Sequence, residues 1–316
     1  MNAPRARWLR LLPLTMTLLL HPSGSRACSI CRCGDPTFAA LGPNVFAADQ
    51  WRIALDWDRI DKANGVTDEM GQSVGRDAEI ENRSSATVSR SYGDRLNLVA
   101  RIPYSWRRLT STDLTDGTRT TTSTHGWSDP EMIAHYRLWA APMSELGRAA
   151  WISTSIGLKT GWGRNNLTRE GVRLDEHAQP GTGSTDLILG VAGMRLLSHS
   201  STAFGSVQYR NTRTNRFHYR YGRVWLGNAG FERKLTSRLD AILEMNYRHA
   251  GEDRVDSTGA LDPNTGGGIL YLQPRVTTDL GLGIVARFSV IVPVARSLHG
   301  DQSERAIVNA GITYVL

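Results

Sequence analysis

The fold is decided by the stretch Leu96-Asn-Leu-Val-Ala-Arg-Ile-Pro-Tyr-Ser-Trp106, in which every second residue is apolar or aromatic. The residues between them include Asn97, Arg101 and Ser105. Alternate side chains of a β-strand point to opposite faces, so this pattern predicts a strand with one apolar and one polar face. Residues 239–247 and 282–292 repeat it. Such strands are typical of either a sandwich with one wet face or a membrane barrel with a polar lumen.

The lengths of the connections distinguish these two classes. Alternation predicts twelve strands near residues 50–60, 80–92, 95–106, 128–139, 148–161, 184–196, 201–211, 221–234, 239–249, 268–278, 281–293 and 305–316. Short connections (93–94, 140–147, 197–200, 235–238, 279–280) alternate with long ones (61–79, 107–127, 162–183, 212–220, 250–267, 294–304). Outer-membrane barrels have even strand numbers, short periplasmic turns and long external loops. A sandwich has no reason to keep every second loop short.

We therefore predict an all-β fold, a transmembrane antiparallel β-barrel of about twelve strands that occupies residues 50–316. Both termini would be periplasmic, so the six long connections would lie outside the cell. Ten strands is the alternative, because residues 80–92 are the least apolar of the twelve segments.

The N-terminus predicts export. Arg5, Arg7 and Arg10 surround the start of a short apolar run that ends at Leu20, and Ser25-Arg-Ala27 offers small residues for cleavage. Residues 1–27 are thus predicted to be a cleaved signal peptide, and residues 28–49 a short periplasmic segment. No stretch reaches the ~18 apolar residues that a membrane-spanning helix needs. The expected location is the outer membrane of a Gram-negative bacterium.

Charge argues against a nucleic-acid partner. Residues 1–27 hold four arginines and no acidic residue, so their removal lowers the formal net charge from +7 to +3. The remaining chain has no cluster of basic residues with interleaved aromatics. It also lacks a Gly-x-Ser-x-Gly motif and a convincing Ser/His/acid set, and its loop histidines are expected to be solvated, so we predict that it is not an enzyme.

Aromatic residues gather at the ends of the predicted strands, as expected for two girdles at the membrane interfaces. The outer girdle would comprise Tyr104, Trp106, Trp127, Trp162, Tyr221 and Tyr247, and the inner one Trp51, Trp139, Trp151 and Tyr314. The chain ends inside an alternating segment, Val308 to Leu316, which resembles the signal that the barrel-assembly machinery recognises.

The polar registers would point into the lumen. The residues predicted there as candidates for selecting solutes are Arg52, Asp56, Arg101, His135, Arg137, Lys159, Asp240, Glu244 and Arg287. Such charges are costly against lipid but tolerable in a wet or salt-bridged interior. They predict either a packed lumen that stabilises the barrel or a charged constriction that selects solutes by sign and size.

Three motifs resemble those of one family. Gly126-Trp-Ser-Asp-Pro130, Leu158-Lys-Thr-Gly161 and Pro180-Gly-Thr-Gly-Ser-Thr-Asp186 are similar to Gly-x-Gly-Asp, Leu-Pro-Thr-Gly and Pro-Gly-Thr-Gly-Ser-x-Asp of outer-membrane transporters of the phenol-degradation meta-pathway type. Lys159 stands where that family has proline. The resemblance implies an outer-membrane channel for small molecules, aromatic or apolar ones among them, with outer-membrane lipid and a small solute as its partners.

Three cysteines, Cys28, Cys31 and Cys33, lie at the predicted mature N-terminus. Their C-x-x-C and C-x-C spacings let neighbouring thiolates reach one soft ion such as Cu(I) or Zn(II). Oxidation of two of them to a disulfide and lipidation of Cys28 are the alternatives. No cofactor is otherwise expected. The alternative function is a non-conducting barrel whose segment 28–49 binds a soft metal or docks a periplasmic redox partner.

Replacing all three cysteines by serine is expected to leave membrane insertion and heat stability unchanged, because no predicted strand contains them. The variant should lose stoichiometric copper or zinc, measured by elemental analysis of reduced, purified protein. Wild-type protein that binds neither metal when reduced would contradict the metal site and favour the disulfide. A variant that cannot assemble would show that the segment braces the barrel.

Overall fold

A computed structural model of the chain describes residues 49–67, 73–141, 149–255 and 257–316. The predicted signal peptide and the cysteine segment lie outside these ranges. The strands are β1 (Trp51–Thr67), β2 (Ser73–Tyr92), β3 (Leu96–Asp113), β4 (Arg119–Trp127), β5 (Glu131–Ala141), β6 (Ala150–Lys159), β7 (Thr168–Arg169), β8 (Val172–Arg173), β9 (Asp186–Ser198), β10 (Ser201–Asn211), β11 (Tyr219–Arg220), β12 (Val224–Lys234), β13 (Leu239–Ala250), β14 (Asp253–Val255), β15 (Ala260–Asp262), β16 (Gly267–Gly281), β17 (Ile284–Leu298), β18 (Gln302–Glu304) and β19 (Ile307–Val315). One 3₁₀ turn covers Glu176–Ala178.

The long strands form a closed antiparallel barrel. β4 and β5 both pair with β3 and are two halves of one barrel strand, as are β18 and β19, which both pair with β1. Counted in this way, the described residues form twelve barrel strands. β1 closes the barrel by pairing with β2 on one side and with β19 on the other, with Arg52 opposite Val315. The predicted twelve-stranded antiparallel barrel is confirmed, and the ten-stranded alternative is wrong.

The outer wall of the barrel is apolar and the inner wall is polar. On β1, Ile53, Leu55 and Trp57 are exposed on the outside, whereas Asp56 and Asp58 are buried inside. Exposure of large apolar side chains on one continuous face marks a surface that is covered by lipid in the membrane. Among the described residues no helix has the length and apolar character needed to cross a membrane.

Most of the predicted girdle aromatics lie on this outer wall, but one prediction is wrong. Trp106, Trp127, Trp162 and Tyr247 are exposed at the end that carries the long loops, which we call the external end. Tyr221, in contrast, is buried inside the barrel and packs against Tyr219, with ring centroids 5.1 Å apart. The reason is that β12 begins only at Val224, so the preceding residues belong to a segment that folds inward over the lumen.

The strands at the external end are longer than predicted. Two of the predicted external connections, 61–79 and 107–127, are largely hairpin strand, with only residues 114–118 connecting β3 to β4. Residues 109–124 are rich in threonine and serine, which favour extended backbone. Beyond the membrane both faces of a strand meet water, so the alternation of apolar and polar residues disappears. For this reason the sequence pattern underestimates the strand length.

Replacing Leu243 with arginine tests the assigned outer wall. Leu243 is half exposed in the middle of β13, so its arginine variant would face lipid. We expect a loss of about 2–4 kcal/mol in the free energy of unfolding, measured by urea titration in lipid vesicles. Leu235→Arg, in the exposed turn between β12 and β13, is the control and should cost less than about 1 kcal/mol. Equal losses would show that the register is wrong.

Candidate functional site

The predicted lumen residues lie along the barrel interior in separate contacts. Asp56, Arg101, His135, Lys159, Glu244 and Arg287 are buried, while Arg52, Arg137 and Asp240 are partly exposed near the periplasmic end. Of this set, Asp56 accepts from Arg287 Nε at 3.0 Å. Glu244 instead pairs with Arg275 at 2.9 Å, and Arg137 pairs with Asp94 of the first periplasmic turn. The structure does not gather the nine side chains into one ring.

The barrel strand formed by β4 and β5 is interrupted at residues 128–130. β5 pairs with β6 up to the pair Glu131–Lys159, where β6 ends. Beyond this point β4 keeps β3 as its partner, and its other edge faces residues 160–164 instead of a strand. Within the described ranges, the backbone hydrogen bond on that edge runs from Arg164 N to Trp127 O, at 2.9 Å. The wall is therefore completed by loop residues at its external end.

Asp129 holds this loop against the wall. Its buried carboxylate accepts from the backbone N–H groups of Gly163 at 2.9 Å and Thr182 at 2.7 Å, and from the Thr182 hydroxyl at 2.6 Å. The two N–H groups belong to the two arms of the loop that joins β6 to β9. Charge-assisted bonds of this kind are roughly twice as strong as neutral ones. One side chain thus fixes both arms.

Lys159 is the cation of the same site. Its buried ammonium lies 3.1 Å from Asp129 Oδ2 and 3.0 Å from Asp186 Oδ2, and it donates to the Ser184 carbonyl oxygen at 3.1 Å and to the Thr182 hydroxyl. Two buried carboxylates that shared no cation would repel each other and lose their solvation. The lysine at this position of the motif therefore compensates the charges that anchor the loop.

Glycines allow the two arms of the loop to cross. A Cβ atom on Gly181 would lie 2.3 Å from the carbonyl carbon of Gly163, and one on Gly163 would lie 2.6 Å from Asp129 Oδ1. Gly183 has φ of +71°, and its Cβ would overlap Asn165 Nδ2 at 1.7 Å. Any side chain at these positions would push the arms apart. The glycines of the sequence motifs are thus explained by close contacts and, at Gly183, by a positive φ.

Residues 165–180, which we call the lobe, fold back over the lumen. Arg173 donates two hydrogen bonds of 2.8 Å to Glu176, and Gln179 Nε2 donates to the carbonyl oxygens of Leu167 at 3.1 Å and Leu174 at 2.8 Å. These contacts lie within the lobe. At its base the N–H of Gly181 donates to Arg164 O at 2.7 Å, so the lobe is closed by its own hydrogen bonds.

The lobe is also bound to opposite parts of the barrel. Arg107 on β3 donates to the His177 carbonyl oxygen at 2.7 Å, and Thr124 on β4 donates to the Ala178 carbonyl oxygen at 2.8 Å. From the other side, the Tyr221 hydroxyl donates to the Glu176 carbonyl oxygen at 3.0 Å. These contacts surround the 3₁₀ turn at the end of the lobe. The lobe therefore plugs the external mouth of the barrel.

His177 forms the polar contact of the lobe with the external hairpins. Its Nε2 lies 3.0 Å from the Tyr219 hydroxyl, 3.9 Å from Asp253 Oδ2 and 3.8 Å from Asp262 Oδ2, and its side chain is 11% exposed. Burial opposes charging of the ring, but the contact with Asp262 and the negative charges of Asp175, Asp253 and Asp262 outweigh it and raise the pKa of His177 to about 9. The imidazolium therefore ties the plug to β14 and β15.

Beneath the plug lies a small cavity of ≈ 50 Å³. About 10–15 Å³ of such space holds one water molecule, so this cavity has room for a few. The cavity is lined by residues from both walls and from the plug, namely Glu81, Arg83, Pro103, Ser128, Asp129, Glu131, Lys159, Thr182, Asp186, Arg210, Thr212 and Tyr221. The lobe and these side chains thus narrow the lumen beneath the external mouth.

Sequence reasoning missed the residues that hold the plug. His177 was expected to be a solvated loop histidine, which is wrong, because its ring is enclosed by Tyr219, Asp253 and Asp262. Asp129 lies within the first motif, Gly126–Pro130, but the sequence assigns it no role. The signal that points to it is the density of glycine and proline around 126–130, 158–161 and 180–186, three segments that the fold brings into contact.

No described residues form a metal site. Within the ranges that the structure covers, no three His, Cys, Asp or Glu side chains are grouped so as to hold an ion. Cys28, Cys31 and Cys33 lie outside these ranges, so their metal, disulfide and lipid alternatives stay predictions.

The chain matches no protein-family profile, and no curated protein matches its sequence. Its fold is similar to the COG4313 outer membrane channel from Pseudomonas putida F1, with a TM-score of 0.63 and 12% identity over 87% of this chain and 98% of that chain. For the transport unit of the autotransporter AIDA-I from Escherichia coli the TM-score is 0.48, with 12% identity over 88% of this chain and 96% of that chain. For the TodX deltaS2S3 mutant monoaromatic hydrocarbon channel the TM-score is 0.44, with 9% identity over 92% of this chain and 99% of that chain.

The first of these similarities establishes the fold, that of an outer-membrane β-barrel. Together with the apolar outer wall, it locates the chain in the outer membrane of a Gram-negative bacterium.

The docking of the lobe is expected to weaken at alkaline pH. Because contact with the carboxylates raises the pKa of His177 from 6.5 to about 9, this contact stabilises docking fully below 6.5 and is lost as the pH rises through about 9. Trypsin cleavage after Arg169 and Arg173 of the lobe should therefore accelerate over this range. Cleavage rates of the His177→Gln variant serve as the control for the pH dependence of trypsin itself. An identical pH profile in both proteins would contradict the role of His177.

Proposed function

We propose that this chain is a gated outer-membrane channel for small molecules, of the phenol-degradation meta-pathway type, in which the lobe is the gate. The observation that carries the proposal is the convergence of the three motif segments. Asp129, Lys159 and Thr182 come from the three different motifs and contact one another directly. What the motifs share is therefore the anchor of a plug.

A movable plug would explain why a separate lobe covers the mouth of this barrel. A barrel that served only as a scaffold could fill its interior with side chains from its own strands, as small barrels do. Here the mouth is closed by a separate lobe that carries its own internal hydrogen bonds. Displacement of the lobe would leave the strands paired and would enlarge the ≈ 50 Å³ cavity into a passage.

The surroundings of the interrupted strand support a small aromatic or apolar solute. Trp127 is 59% exposed and Trp162 is 80% exposed, and both lie beside the place where loop residues complete the wall. The Tyr104 ring lies 4.5 Å from that of Trp106 and 5.0 Å from that of Trp127, centroid to centroid. Aromatic rings at the headgroup level offer flat apolar surfaces on which such a solute can collect before it enters.

The cavity offers polar partners to a solute that also carries a hydroxyl group. Ser128 and Thr182 supply hydroxyls and Glu131 a carboxylate, while Pro103 and Tyr221 supply apolar surface. A phenol needs this combination, because its ring is apolar and its hydroxyl must keep a hydrogen bond when it leaves water.

An enzymatic role has less support. His177, the buried histidine of the plug, meets a phenol and two carboxylates, and nucleophilic catalysis would need a serine or cysteine beside it. The alternative function, a non-conducting barrel that acts through its cysteine segment, remains a second proposal that depends on residues 28–49.

The gate is tested by removing the lobe. Residues 165–180 are replaced by a short Gly-Ser linker, because Arg164 and Gly181 are already joined by a hydrogen bond of 2.7 Å. The anchors of Gly163 and Thr182 on Asp129 remain in this variant. We expect a several-fold larger single-channel conductance in planar bilayers, since the mouth is no longer covered.

The matched control shortens another external connection, residues 114–118 at the tip of the β3–β4 hairpin, which lies away from the lumen. Its conductance should equal that of wild type. If removal of the lobe also leaves the conductance unchanged, the lobe is not the gate.

The solute class is measured separately, by comparing the uptake of labelled phenol with the uptake of labelled arabinose by intact cells. Trp127→Ala/Trp162→Ala should slow uptake of phenol alone.

A further inference from the structure

Three arginines lie on the outer wall at the external end of the barrel. Arg59 is on β1, Arg108 is on β3 and Arg305 lies between β18 and β19, and all three are exposed. Arg59 pairs with Asn82 on β2, which also pairs with Trp106 on β3. Arg59 is therefore level with the aromatic belt on the lipid-facing side.

The other two arginines lie slightly further out and on either side of Asp61. Ile80 on β2 pairs with Asp61 on β1 and with Arg108 on β3. On the opposite side of β1, the N–H of Arg305 donates to the Asp61 carbonyl oxygen at 3.0 Å. Neighbouring strands are about 4.8 Å apart, so the three cations cover about 15 Å of the wall.

These cations have no protein partner among the described residues. None of the three guanidinium groups makes a salt bridge within the ranges that the structure covers, although Asp61 shares the patch. The arginines of the lumen behave differently, since Arg107, Arg210, Arg248, Arg275 and Arg287 are all paired with carboxylates. The patch therefore carries an excess of positive charge that faces outward.

The position of the patch identifies the chemistry that would neutralise it. Long loops mark the external side of a barrel, so the patch lies at the headgroup level of the outer leaflet. In a Gram-negative outer membrane this leaflet is lipopolysaccharide, whose lipid A anchor carries phosphate groups on a glucosamine disaccharide. Arginine binds phosphate with two parallel hydrogen bonds, and an unpaired arginine next to lipid is otherwise costly.

We propose that Arg59, Arg108 and Arg305 bind the phosphate groups of one lipid A molecule on the outer wall of the barrel. The acyl chains of the lipid lie below the patch against Leu55 and Trp57, which are exposed on the same face of β1. The site is independent of the channel, because its side chains point away from the lumen.

The test titrates the refolded full-length protein with bis-phosphorylated lipid A in detergent and counts bound lipid by native mass spectrometry. Arg59→Gln/Arg108→Gln/Arg305→Gln should bind lipid A about tenfold more weakly than wild type, as expected for the loss of several charge-assisted contacts. The matched control is Arg90→Gln. Arg90 also faces outward but stacks on Trp51 and Tyr92 at the periplasmic end, so its loss should leave binding unchanged.

A second comparison needs no variant. Wild-type protein should bind lipid A from which the phosphates have been removed about tenfold more weakly than intact lipid A. Equal affinity for the two lipids would overturn the site, because the acyl chains alone would then account for binding. Unchanged binding by a triple variant that keeps its heat-dependent gel mobility would overturn it as well. Displacement of lipid A by an equal amount of phosphatidylglycerol would also overturn the proposal, because the patch would then be a surface for any anionic lipid.

Discussion

The closed state of this barrel depends on one buried carboxylate. Asp129 lies where a wall strand is interrupted, and it accepts hydrogen bonds from both arms of the loop that closes the mouth. A charge in such a place must be compensated. The ammonium group of Lys159 lies between Asp129 and Asp186 and compensates the negative charge of both. The interruption of the strand, the crossing of the arms at Gly163 and Gly181, and the position of the lobe all depend on this contact.

The remaining charges of the lumen follow the same constraint. A narrow barrel leaves little water inside, so each inward charge needs a partner on another strand. Glu131 with Arg210, Glu244 with Arg275 and Glu304 with Arg248 supply these partners at 2.6–2.9 Å. These ion pairs line the interior of the barrel, and the lobe covers its external mouth. Under the proposed function, passage of a solute requires that the lobe move.

Much of the fold follows from the sequence, and less of the site does. Period-two alternation, as in 96–106, locates a strand wherever one face meets lipid and the other meets polar groups. It fails above the membrane, where residues 109–123 are wet on both faces. It also fails for Tyr221 and His177, because a loop has no period to show whether it turns outward or inward. The motifs around Asp129 indicate three unusual segments of the chain. That the Asp129 carboxylate anchors the loop follows only from its contacts in the folded barrel.

The closure of the lobe by the hydrogen bond between Gly181 and Arg164 has an evolutionary consequence. The two chain ends of the lobe emerge side by side from a fixed crossing, so its sixteen residues can be exchanged without altering any strand pair of the barrel. Insertions, deletions and whole replacements at this position change the lid and spare the barrel. A lineage of such proteins can therefore diversify what it admits while its membrane scaffold stays nearly constant.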